Sequence, residues 1–230
     1  MNRKGSKAKF PILIGILSIL SLFGCAGPFR QAKFFVERPY SEPDFNLKGV
    51  RIGFLTPSSA LGLEEDRWIL LNILADTFKE MREDVEVIPP SRILSLINQS
   101  GMAEEYNRMI HLYHTSGVFD KTILQKIKKA IGVQFLVHLK LASFNQYAFT
   151  RLSTFGLRVI DSQEAKMRIF MQIWDVEGRI VWESSAEGII TQEEFRARPI
   201  SFNELAKATS RKLIEKLPDH ITPSAVSPRR

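Results

Sequence analysis

Cysteine is nearly absent from this chain, with one residue, Cys25, among 230. A lone cysteine excludes an internal disulfide and any zinc site built on several thiolates. Histidine is scarce too, at four residues. His111 and His114 stand three apart, but Leu112 and Tyr113 lie between them where a zinc-protease signature carries glutamate. No phosphate-cradling Gly loop ending in Lys-Ser/Thr occurs, and no Gly-x-Ser-x-Gly elbow. Long apolar runs are also missing. The longest, Phe10 to Gly24, falls short of the roughly 20 residues of a membrane-spanning helix and contains Pro11 and Gly15. There is no internal repeat.

What is present is sharpest at the start. Arg3, Lys4, Lys7 and Lys9 form a basic opening without acidic residues, Phe10 to Leu22 is apolar, and small residues follow. A positive stretch, an apolar core and a small-residue cleavage zone are the parts of a secretory signal. Leu22-Phe23-Gly24-Cys25 resembles the lipobox of bacterial lipoproteins, with Phe23 where a small or β-branched residue is usual. The resemblance implies cleavage between Gly24 and Cys25 and a diacylglycerol on the Cys25 thiol, which leaves the mature chain no free thiol for nucleophilic chemistry. Ala26 follows, where lipoproteins retained in the inner membrane usually carry an acidic residue. The expected location is therefore the periplasmic face of the outer membrane.

Cleavage there leaves 206 residues, enough for one domain with a sizeable core. The formal charge of +7 overstates the mature protein, because the leader holds four of 32 basic residues and none of 25 acidic ones. The remainder is near +3. Lys121, Lys126, Lys128 and Lys129 sit at helical spacing and read as a solvated face, so no nucleic-acid partner is expected.

Four segments follow: a signal peptide over 1–24, a lipidated cysteine and tether over 25–46, one periplasmic domain over 47–217, and a disordered tail over 218–230. The tether stretch, with three prolines and mixed charge, has no sustained period. In the domain, Val50 to Leu55 alternates as a strand. Leu70, Leu74, Phe78 and Met81 stripe a helix over about 65–82. Val85 to Ile88 forms a second strand before Pro89-Pro90. Three helices follow: 91–99, one striped by Tyr106, Met109, Ile110 and Tyr113, and one striped by Ile123, Ile127 and Ile131, with Gly132 as a left-handed cap. Val133 to Leu141 and Met167 to Ile173 alternate at period two, with a further strand over 154–160. Asp175 to Gly178 turns into a partner strand, Ile180 to Ala186. Ser201 to Glu204 reads as a capping box for a last helix carrying Leu205, Thr209, Leu213 and Leu217. The fold class is α/β (α+β): a mixed β-sheet flanked by helices, βαβααα, then a β-meander and a C-terminal helix.

Particular residues carry a family resemblance: Gly49 to Phe54 before the long helix, Glu86 to Pro89, Ala130 to Val137, and Ile173 to Glu183. The chain resembles envelope lipoproteins whose periplasmic domain is similar to the TolB amino-terminal domain, among them CsgG-like and LpoB-like proteins. The resemblance spans about residues 48 to 217. It implies a non-catalytic module that docks on an envelope protein partner or on copies of itself. The tether is shorter than in wall-crossing activators. The segment from Asn145 to Ser162 is too short for two hairpins of strands of about 9–11 residues each.

Polar clusters have structural readings. His111 and His114, with Glu104 and Asn107 on the same side, read as surface or partly packed. Asp161, Glu164, Asp175, Glu177 and Glu183 suit turns and strand edges. Ser58 and Ser59 cap the first long helix or hold an anion at its start. Trp174 and Trp182 stack across their hairpin or fill the core. The expectation is a non-enzymatic outer-membrane lipoprotein, with no catalytic residues, cofactor or metal, that binds protein partners to assemble or regulate an envelope complex. The alternative is a ring-forming subunit of a secretion or transport channel. Mass spectrometry of the mature N-terminal peptide is expected to find Cys25 at position one carrying a diacylglycerol. An unmodified Cys25 or an intact Met1 removes the anchor.

Overall fold

The computed structural model describes residues 29–152, 159–194 and 197–218. The leader, Gly24, Cys25, most of the strand expected over 154–160, and the tail from 219 lie outside them. The described elements are β1 (Phe29–Val36), β2 (Tyr40–Ser41), β3 (Arg51–Phe54), β4 (Ser58–Ser59), α1 (Asp66–Met81), β5 (Glu86–Val87), α2 (Pro90–Gln99), α3 (Ala103–Ser116), α4 (Lys121–Ile131), β6 (Phe135–Leu152), β7 (Val159–Asp175), β8 (Ile180–Glu194) and α5 (Phe202–Ile214). The eight strands form one mixed sheet in the order β1-β8-β7-β6-β3-β5, with β2 on β8 and β4 on β6. The pairs β3–β5, β3–β6 and β4–β6 are parallel, and the rest are antiparallel. From β3 onward this is the expected βαβααα, meander and terminal helix.

Alternation along the strands splits the core in two. On one face Val137, Leu139, Leu141, Met167, Ile169, Met171, Ile173 and Trp182 pack against α1 through Leu70, Leu74 and Phe78, and against α5 through Leu205 and Leu213. On the other, Leu136 and Trp174 meet α2, α3 and α4 through Ile93, Met109, Ile123 and Ile127. Each such aliphatic side chain contributes roughly 1.5–3 kcal/mol by leaving water. Asp120 caps α4 by accepting from Ile123 N–H at 3.1 Å, and Gly132 closes it at φ +75°.

Several expectations are corrected. The stretch read as a tether contributes β1 and β2 to the sheet. As an edge strand, β1 half-buries only Phe34 and Val36, so it carries no clear hydrophobic period. Ser58 and Ser59 pair with Lys140 and Leu141 instead of capping α1, which starts at Asp66. Ser201 sits at the N-cap of α5 but makes no side-chain cap bond, while Glu204 is ion-paired to Arg30 of β1. Of the two readings of the tryptophans, filling the core holds, since both indoles are buried, and stacking does not. A register shift pairs Trp174 with Ile180 and Ile173 with Trp182, which puts the indoles on opposite faces.

Two glycines are fixed by geometry. Gly178 holds φ +78° in the turn where Asp175 accepts from the Glu177 and Arg179 backbone N–H groups. Gly188 lies under α5, where a Cβ would sit 2.1 Å from Thr209 Oγ1 and 3.0 Å from Leu205 Cδ1. Gly188→Ala is expected to cost about 1–3 kcal/mol through overpacking, seen as a lower Tm. Adding Thr209→Ala, which removes the obstructing hydroxyl, is expected to restore part of the loss.

Candidate functional site

The helices α2 to α4 cover only part of their face of the sheet. Beyond the Val118–Phe119 loop, the outward side chains of β6, β7, β8 and β1 meet solvent, including Lys140, Asn145, Tyr147 and Phe149 of β6 and Phe29 and Phe35 of β1. Where the covered part gives way to the open part, Tyr113, His138, Lys140, Phe170, Gln172 and Glu183 line a cleft of about 300 Å³.

Strand pairing builds this cleft row by row. His138 stands opposite Gln172, and Gln172 opposite Glu183; in the next row Lys140 faces Phe170. From above, α3 lays Tyr113 over them, stacked on Phe119 with ring centroids 4.0 Å apart. The Tyr113 hydroxyl donates to Gln172 Oε1 at 2.8 Å, Trp174 Nε1 donates to the same oxygen at 3.2 Å, and Gln172 Nε2 donates to Glu183 Oε2. Two aromatic donors are thus relayed through one amide onto a carboxylate. Burial, followed by the Glu183 charge, pushes the Tyr113 hydroxyl up to about 12, so it remains a donor.

His138 is buried, with Tyr113 edge-on at 4.4 Å and Phe119 at 5.4 Å. Burial, then His114 and Lys140, push its pKa down to about 3, so the imidazole is neutral at physiological pH. Gln172 separates it from Glu183 in the row, so the two do not form a relay. The arrangement offers a carboxylate, an ammonium and a ring face to a docking group.

Of the residues singled out in the sequence, Trp174 and Glu183 meet at Gln172, and the others do not gather into a site. His111 and His114 are exposed on α3, as are Glu104 and Asn107. Desolvation, then Arg67, His111 and Lys140, lowers the His114 pKa. Asp175 caps its turn and binds Arg179, and Glu177 pairs with Lys121 at 2.5 Å. Glu164 accepts weakly from Thr191, and Asp161 accepts from Thr150 Oγ1 at 3.1 Å. Among the described residues, no three His, Cys, Asp or Glu side chains gather as a metal site, and no helix is long and apolar enough to cross a membrane. Cys25 is outside them, but the chain from it enters the sheet at Phe29.

The sequence matches no protein-family model and no curated protein. Among solved structures, the chain is similar to the PelC dodecamer from Paraburkholderia phytofirmans, with 11% identity, TM-score 0.45, and 80% of this chain and 96% of that one covered. It is also similar to lipoprotein GNA1162 from Neisseria meningitidis, with 15% identity, TM-score 0.44, and 72% and 99% covered. The LpoB C-terminal domain from Escherichia coli follows at 12% identity and TM-score 0.35, with 63% and 85% covered. Likeness at this level bears on neither activity nor partner.

The cleft residues carried one signal in the sequence. His138 and Lys140 on β6, and Phe170 and Gln172 on β7, alternate with core aliphatics, and a central strand shows polar residues opposite its core face only where that face lacks full cover. Because His138 binds its proton at pH about 3 when folded and near 6.5 when unfolded, the unfolded chain holds more protons between those values. Its contribution to stability is full above pH 6.5 and is lost as pH falls toward 3. From pH 7 to 5 the protein is expected to lose roughly 2 kcal/mol through this group. His138→Gln should flatten that part of the Tm–pH profile.

Proposed function

We propose that the chain is a lipoprotein held by Cys25 on the periplasmic face of the outer membrane, and that it acts without turnover by binding a protein partner along the free edge of β1. In this role it assembles or regulates an envelope complex. The lipobox supports the anchor, and the observation that carries the partner site is the orientation of β1.

Strand β1 ends the sheet, so among the described residues one of its edges is unpaired. Glu37 N–H donates to Ser185 O at 3.0 Å, and the register from Phe29–Glu193 to Val36–Ala186 is unbroken. Antiparallel pairing alternates the direction of backbone groups. Residues 29, 31, 33 and 35 therefore turn their N–H and C=O toward β8, while Arg30, Ala32, Phe34 and Val36 turn theirs away from the sheet. An eight-residue edge of this kind is a template for an added strand. Proximity to the anchor confines such a partner to the membrane surface, because Cys25 lies only four residues before Phe29.

The direction of the backbone groups gives a test that spares the fold. Ala32→Pro removes an outward N–H and leaves the β1–β8 ladder intact, whereas Lys33→Pro removes a ladder donor. With a photo-crosslinker at Gln31 in intact cells, the parent protein is expected to capture a partner. Ala32→Pro should lose that adduct while keeping its circular dichroism spectrum. An unchanged adduct removes the edge as the docking site. Adducts at multiples of the chain's own mass identify a ring of copies.

A further inference from the structure

We infer that the end of the sheet nearest the anchor is a second membrane contact, in which Phe29, Tyr147 and Phe149 enter the interfacial layer of the lipid bilayer. The inference rests on the anchored reading for its orientation, and on strand register for the site itself.

Cross-strand pairing sets Phe29 opposite Glu193, Glu193 opposite Ser162, and Ser162 opposite Phe149. These four residues form one row across β1, β8, β7 and β6, at the end where β1 begins and β8 stops. Phe29 is 51% exposed, Phe149 54% and Tyr147 46%, although each is large and aromatic. Tyr147 and Phe149 stack with their rings 16° from parallel. They reach this face because of a bulge. Leu141 pairs with Ile169 and Ser143 with Arg168, so a register shift there reverses which residues of β6 point to the core. After the shift Phe144 packs inward against Phe202, with centroids 4.9 Å apart, and Tyr147 and Phe149 turn to the part of the opposite face that α2 to α4 leave open.

Proximity to the anchor selects lipid as the occupant. Four residue steps separate Cys25 from Phe29, at most about 14 Å of extended chain, so an acylated Cys25 draws this row to the bilayer. Aromatic side chains favour that boundary, where the ring leaves water while polar neighbours remain hydrated. Of the acids on this face, Glu164 stands opposite Tyr147 and accepts from Thr191 Oγ1 at 3.4 Å. Glu193, in the same row, has its carboxylate engaged by Ser162 Oγ at 3.2 Å. One diacyl anchor fixes a point; an aromatic row beside it fixes an orientation, with β1 leading away from the membrane.

The test uses mature full-length protein reconstituted into vesicles of phosphatidylethanolamine and phosphatidylglycerol. Acylation blocks Cys25, so Phe149→Cys supplies a unique thiol for an environment-sensitive fluorophore, and Leu112→Cys, exposed on α3, supplies the control. The label at 149 is expected to shift to the blue and to be quenched by doxyl groups in the lipid, while the label at 112 does neither. A label at 149 as hydrated as that at 112 overturns the inference. The mass of the Cys25 peptide, read on the same sample, judges the anchor separately. An unmodified Cys25 sinks the lipoprotein reading; the label at 149 is then read on a Cys25→Ser background, where a buried label leaves the aromatic contact standing and a hydrated one overturns it.

Discussion

The ladder joining β6, β7 and β8 runs from the Asp175 turn to the far end of the sheet, and its register assigns every residue of the three strands to a face. Met167, Ile169, Met171 and Ile173 point from β7 toward α1 and α5, while Arg168, Phe170, Gln172 and Trp174 point the other way. A slip of one residue would exchange these sets and bury arginine and glutamine under α5. Asp175 pins one end by accepting from two backbone N–H groups and binding Arg179. Gly188 fixes the middle by letting α5 approach to side-chain contact.

Both irregularities in that ladder have consequences. The shift near Trp174 sends the two indoles into separate clusters, so each core receives a large aromatic anchor. The shift after Leu141 keeps Phe144 inside and releases Tyr147 and Phe149 to solvent. Bulges of this sort redirect side chains without ending a strand. The covered and uncovered parts of the sheet therefore differ in chemistry along the same three strands. Near the Asp175 turn, the cleft around Glu183 combines a carboxylate, an ammonium and aromatic rings. Near Phe29, the exposed face becomes aromatic. Glu183 and Glu193 are ten residues apart on β8, roughly 33 Å along an extended strand, so the cleft and the aromatic row lie at well separated places on the sheet.

Charge is spread across the open face in pairs such as Arg168–Glu37 and Lys166–Glu187. Exposed pairs of this kind contribute little to stability, about 0–1 kcal/mol each. Their effect is to keep a half-covered sheet soluble, since opposite charges in neighbouring rows oppose indiscriminate face-to-face association while leaving the β1 edge available.

Residue pattern alone determined the α/β class, the five helices α1 to α5, the alternation of β6 and β7, and the glycine turn at Gly178. Each follows from local periodicity or a local backbone requirement. Tertiary structure decided the rest. β1 was hidden in an apparent tether because an edge strand buries little of either face, so its sequence needs no period. Ser58 and Ser59 became a strand, and Ser201 an unbonded cap, because neighbours supplied pairings that their local sequence does not encode. The cleft arises from residues on α3, β6, β7 and β8 separated by up to 70 positions, and the aromatic row from a bulge that reverses the alternation from which its residues would be read. Long-range pairing fixes such sites, and no local window of sequence contains it.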